Sequence, residues 1–170
     1  MKNSRGPGRK KGSAAGKSFC DLPSRAGKKV PGDNRSAFYR HRGDMRWTGV
    51  IDEPYKTAAG GWAGIVRRVL VGNRGESSRF HVRYFEIAPS GRSSLEWHRH
   101  EHVVICIRGR GAVKFGRKKR IMDFMDTVYI APGEVHQLVN PYDRPFGFLC
   151  IVNARRDRPK VLSRKRGPEG

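Results

Sequence analysis

Between residues 65 and 153 the chain is cut so often by Gly, Pro, Asn and Asp that only short strands fit between the cuts. The breaks fall at GNRGES, PSGR, GRG, GRKK, APGE and NPYDR. Each is a turn cluster: Gly supplies positive φ, Pro presets φ, and Asn and Asp bond their own backbone. Between them lie runs rich in Val, Ile, Phe and Tyr, whose branched and aromatic side chains suit a pleated sheet. The predicted strands are 65–71, 79–88, 93–98, 102–108, 111–115, 120–124, 127–131, 135–140 and 145–153. No useful window repeats apolar residues at the helical period. Many short strands at close spacing build a sandwich or barrel and exclude a βαβ sheet. Residues 44–62 carry Trp47, Tyr55 and Trp62 and are expected to wrap the barrel or cover its mouth.

Charge divides the chain differently. Lys and Arg total 36 against 15 acids, a net +21. Residues 1–43 hold 12 of the bases and 2 of the acids, and residues 154–170 hold 7 and 2. The ends also carry few large apolar side chains, too little burial to offset ordering entropy. The expected organisation is a disordered basic tail over 1–43, one β-domain over 44–154, and a basic C-terminal tail over 155–170. No unbroken apolar stretch follows the basic start, so no secretory leader is expected. No run approaches the ~20 apolar residues of a membrane helix. Cys20, Cys106 and Cys150 are few, odd in number and far apart, which speaks against a disulfide framework and for a reducing cytoplasm. Cationic tails bind polyanions weakly and in a salt-sensitive way. Without a zinc-finger spacing, a helix-turn-helix or aromatic platforms in the tails, nucleic acid is not expected as the ligand.

The chemistry concentrates in Glu96-Trp-His98-Arg-His100-Glu-His102, with His136 further on. Residues two apart on a strand share a face, so Glu96 and His98 can point into one space. A reversal over residues 99–101 then starts the next strand with His102 facing the same space. His136, just after Pro132-Gly133, can join them from a neighbouring strand. Three imidazoles and a carboxylate suit Mn, Fe, Co, Ni, Cu and Zn alike.

These residues resemble the paired motifs of the cupins. The second cupin motif, Gly-x(5)-Pro-x-Gly-x(2)-His-x(3)-Asn, is matched by Met125-DTVYIA-Pro132-Gly133-EV-His136-QLV-Asn140, with Met125 for Gly and Ala131 for Pro. The first motif, His-x-His-x(3–4)-Glu-x(6)-Gly, has two registers here. From His98-x-His100 its acidic position falls on Val104 or Ile105, which bind no metal. From Glu96-x-His98 the third ligand falls on His102 and the glycine on Gly109, with Glu and His exchanged. The second register is preferred. It makes Glu96, His98, His102 and His136 the expected ligands and leaves His100 at the rim. The implied fold is an all-β cupin jelly-roll barrel flanked by the disordered basic tails.

Residues 47–159 are similar to a group of small bacterial cupins that includes a Mn-dependent, glutathione-using methylsulfurylase of a methylthio-ketose phosphate. The resemblance implies one divalent transition metal, Mn favoured over Fe, Co, Ni or Zn, a small-molecule substrate with glutathione, and a homodimer. It also implies thiol-dependent C–S cleavage, with His100 moving a proton and Cys106 or Cys150 as candidate thiols. A buried cysteine is as readily a small apolar residue. Tyr84, Tyr129 and Gln137 are further candidates for the pocket wall, and Arg83, Arg92 and Arg99 for a phosphate. Other readings of the same cage are a dioxygenase, a sugar-phosphate isomerase, and a non-catalytic small-molecule-binding module.

Overall fold

The structure, a computed structural model, describes residues 36–54, 62–157 and 160–162. Most of both basic tails, and Tyr55, lie outside these residues. The described residues form eleven strands and no helix. They are β1 (Glu53–Pro54), β2 (Ala63–Val71), β3 (Phe80–Arg92), β4 (Glu96–Trp97), β5 (His102–Arg108), β6 (Gly111–Phe115), β7 (Lys118–Met122), β8 (Thr127–Ile130), β9 (His136–Val139), β10 (Phe146–Asn153) and β11 (Lys160–Val161). Among them, no helix is long and apolar enough to cross a membrane.

All the pairings are antiparallel, and the strands make one sheet that folds into a nearly closed barrel. One wall runs β1-β2-β3-β10-β5-β8, and the other runs β7-β6-β9-β4-β11. The two walls join where Arg92, at the end of β3, pairs with Val139 of β9. Their inner faces supply Phe85, Ile87, Val104, Val113, Ile130, Leu138, Phe146 and Phe148 to one core. This is the jelly-roll layout expected of the turn-punctuated sequence.

Strand β3 runs through the predicted PSGR break. The ladder shifts register between Ala63 and Ile65, and Ser90 takes φ +60°, so the strand bends at a bulge instead of ending. That bend carries the chain from one wall to the other. Conversely, the predicted strand over 120–124 ends earlier, and Phe124 lies exposed in a turn.

The segment before β2 covers the barrel in two ways. Trp47 packs its ring 5.5 Å from Tyr84, on the face of β3 opposite Phe85. Trp62 is buried in the core itself. Glu53 of β1 takes a buried hydrogen bond of 2.7 Å from Arg67 Nε across the ladder. The ordered body also extends past residue 154, since β11 pairs with β4.

Two turn positions carry backbone constraints. Gly109, the closing glycine of the first motif, has φ +62°, and a Cβ there would lie 2.1 Å from the Pro145 carbonyl oxygen. Met125 has φ +70° where the second motif has glycine, with its amide bonded to the Cys106 carbonyl at 2.8 Å and its side chain exposed. Gly109→Ala is therefore expected to destabilise by roughly 2–3 kcal/mol in urea unfolding, strain and clash together. Met125→Gly relieves about 1 kcal/mol of left-handed strain against a smaller entropic cost, so Tm should rise by a few degrees. Met125→Ala keeps the strain and should show no such rise.

Candidate metal centre

The site is assembled by short-range pairings around β4. Glu96 pairs directly with His136 of β9, which sets the two side chains side by side. His136 is also opposite Phe115 of β6, which fixes it from the other edge. The Gly133 amide donates to the His98 carbonyl at 2.7 Å, tying the Pro132-Gly133 turn to the bend after β4. His102 opens β5 and faces inward with Val104 and Cys106, against Ile130 of β8.

The result is a buried cluster. Ligand atoms of His98, His102 and His136 all lie within 4.8 Å of one another, and each residue is no more than 2% exposed. Glu96 Oε1 lies 4.0 Å from His136 Nε2, and its Oε2 accepts from Ser94 Oγ at 2.7 Å.

Backbone carbonyls orient the rings. His98 Nδ1 lies 2.7 Å from the His100 carbonyl, and His136 Nδ1 lies 2.9 Å from the Glu134 carbonyl. A carbonyl only accepts, so both Nδ1 atoms carry a proton, and the neutral His98 ring keeps the lone pair on its Nε2. His98 Nε2 is buried with no hydrogen-bond partner. A buried lone pair without a donor is costly unless something electrophilic meets it. That orphan atom, beside two more imidazoles and a carboxylate, fits a divalent transition metal.

The electrostatics agree. Burial, then the neighbouring His100 and His136, push His98 down to about 3. Burial, then His98 and Arg83, hold His102 well below the ordinary imidazole range. At neutral pH both rings are neutral, the form that ligates a metal.

His100 lies deeper than the rim position expected of it. It is buried, and its ring stacks on His98 with centroids 3.7 Å apart. Its Nε2 is 3.0 Å from His102 Nε2, close enough for one proton or one cation to serve both. Its Nδ1 lies 2.7 Å from Asp157, a residue that composition assigned to the tail.

The two candidate cysteines part company, and both are free thiols. Cys106 shares the face of His102 but stands four residues further along β5, about 13 Å away at strand rise. It sits in the apolar core, where its thiol donates to the Gly109 carbonyl at 3.5 Å and burial pushes its pKa up. Cys150 lies beside the cluster, its Sγ 3.8 Å from His102 Nδ1, and receives Arg83 Nη2 at 3.4 Å. Burial pushes that thiol up too, against the opposing Arg83 charge. Arg83 is thus interior. Tyr84 bonds Glu86 at 2.6 Å, Tyr129 is exposed, and Gln137 donates to the Ser93 carbonyl at 2.8 Å. Arg92 and Arg99 have exposed side chains.

Residues 83–152 match the model of the Cupin domain. Over 125 residues, 73% of this chain and 79% of the other, the sequence is 37% identical to a Rhodospirillum rubrum protein named 1-methylthio-D-xylulose 5-phosphate methylsulfurylase. The chain belongs to the cupin family. Among crystal structures, this cupin is similar to a cupin-2 domain protein of R. rubrum, at TM-score 0.67 and 36% identity over 74% of this chain and 84% of that one. It is also similar to a cupin 2 conserved barrel domain protein of Rhodopseudomonas palustris, at TM-score 0.70 and 34% identity over 75% and 87%.

Single Ala substitutions at His98, His102 or His136 should cut metal content after dialysis at least tenfold while the far-ultraviolet circular dichroism stays that of the parent. Glu96→Ala should do likewise, and His100→Ala should retain the metal; the reverse pattern selects the other register. The metal-free cupin should also lose stability in acid. His98 titrates near 6.5 when unfolded and at about 3 when folded, so the unfolded chain takes up the proton first. Stability present above about pH 6.5 is lost as pH falls toward 3, readable as a declining Tm that His98→Asn makes shallower.

Proposed function

We propose that this cupin is a metal-dependent enzyme that cleaves a carbon–sulfur bond beside the carbonyl of a methylthio-ketose phosphate, with glutathione as the thiol and without oxygen. The observation that carries the reading is a buried three-histidine cluster in a chain 37% identical over 73% of its length to a protein named as such a methylsulfurylase.

Glu96, His98, His102 and His136 would hold the ion. Bound there, a divalent metal supplies Lewis-acid stabilisation of negative charge on a substrate carbonyl oxygen. His100 Nε2 lies 3.0 Å from His102 Nε2, which supports it as the group that moves a proton. Neutral at working pH because burial lowers its pKa, His100 takes the proton of the attacking thiol. The thiolate attacks the methylthio sulfur, and the C1–S bond breaks with its electron pair left on carbon, spread onto the adjacent carbonyl. His100 returns the proton to C1. The products are a 1-deoxy-ketose phosphate and a mixed disulfide of glutathione with methanethiol, so atoms and electrons balance.

Cys150 approaches His102 on its Nδ1 side, away from the Nε2 that faces the centre. That placement supports an external thiol as the nucleophile, with Cys150 packed behind His102. The Mn-loaded protein, given 1-methylthio-D-xylulose 5-phosphate and glutathione under nitrogen, should release the deoxy-ketose phosphate at the same rate as in air. Absence of turnover with any thiol overturns the reading. Cys106→Ala and Cys150→Ala should both keep at least a third or so of kcat. If Cys150→Ala abolishes turnover with metal retained, Cys150 is the nucleophile.

A further inference from the structure

The carboxylate of Asp157, in the segment after β10, reaches the bend that carries His100. Its Oδ1 lies 2.7 Å from His100 Nδ1. The Arg99 amide donates to the same group, at 3.1 Å to Oδ1 and 2.9 Å to Oδ2. Asp157 thus grips two successive residues of the bend between β4 and β5, one by backbone and one by ring.

The chain around Asp157 is itself held. Before it, the Ala154 amide donates to the Arg79 carbonyl at 3.0 Å, and the Arg155 amide to Asn153 Oδ1 at 2.8 Å. After it, β11 pairs with β4, Lys160 opposite Trp97 and Val161 opposite Glu96. The Leu162 amide donates to the Leu95 carbonyl at 2.9 Å, and Lys160 Nζ sits 4.8 Å from the centre of the Trp97 ring. The segment after β10 therefore contacts the ligand-bearing stretch at residues 95–97 and again at 99–100.

We infer that Asp157 is a positioning residue for His100, fixing which ring nitrogen bears the proton and aiming the other at the metal centre. An ionised carboxylate only accepts, so His100 Nδ1 carries hydrogen, and its Nε2 lone pair points to the proton or cation that it shares with His102 Nε2, 3.0 Å away. This is the arrangement in which an outer carboxylate orients a histidine of a metal site. Stability is not its main yield. The Asp157 side chain is 35% exposed, and ion pairs so open to water contribute little. The benefit is directional, in a ring that otherwise has two neutral tautomers of similar energy.

The inference rests on the proton-transfer role proposed for His100, and its test separates the two. The Zn(II)-loaded protein, labelled with 15N-histidine, reports each ring's tautomer through long-range 1H–15N correlations, with His100 assigned by His100→Gln. The parent should show His100 solely as the Nδ1–H form. Asp157→Ala should show a mixture. In the Mn-loaded protein, Asp157→Ala should lower kcat about 10–100-fold, leave KM within about twofold and keep the metal. Asp157→Asn, whose amide oxygen still accepts from Nδ1–H, should recover part of the rate. An unchanged His100 tautomer in Asp157→Ala overturns the inference whatever the activity. If the tautomer shifts but the parent has no methylthio-ketose turnover, the positioning role stands and the proposed reaction falls.

Discussion

Everything at the candidate centre depends on a two-residue strand, β4, being clamped on both edges. On one side Glu96 pairs with His136, and on the other Lys160 and Val161 pair with Trp97 and Glu96. Two residues form too little ladder to hold a strand by themselves; neighbours on both sides must define it. Glu96, His98 and the bend that starts β5 inherit their positions from that clamp. The Gly133 bond to the His98 carbonyl then locks the same bend to the turn before His136. Residues 40 apart in sequence meet because main-chain pairing, which is indifferent to side chain, puts them there.

The burial of this cluster has a cost that the apolar core has to offset. Imidazoles packed against one another and against Arg83 are held neutral, and an unpartnered Nε2 on His98 adds a desolvation term. The compensation lies lower in the barrel, where Phe85, Phe146 and Phe148 pack with centroid spacings of 5.1–5.6 Å. The barrel is accordingly divided along its axis, with polar ligands at one level of β5 and aliphatic and aromatic packing at the next.

Much of this was legible in the residues, and the failures have identifiable causes. Turn clusters located the central strands, because Gly, Pro, Asn and Asp act locally. PSGR misled because a bulge uses the same residues as a turn, and only the partner strand decides between them. Alternation along β5 does put Cys106 on the face of His102, but it says nothing of depth along the barrel. For Cys150 both faces of its strand are apolar, so its approach to His102 had no sequence signal. Asp157 was hidden by charge: among the arginines of a basic tail a single acid reads as incidental. A hint was available in retrospect, since the described body of the protein needs a partner for the free edge of β4.

The same clamp has a consequence for how the protein lives in a cell. The cluster draws on β4, β5 and β9, so an ion held there acts as a cross-link across the barrel wall, present only when the wall is formed. A ligand that binds only the folded chain stabilises it by mass action, about 2.7 kcal/mol at 100 times its dissociation constant. For a domain with ordinary marginal stability that is a large share of the total. With an ion held there, the lifetime of the folded chain would track the supply of free metal, and starvation for the ion would be felt as protein turnover.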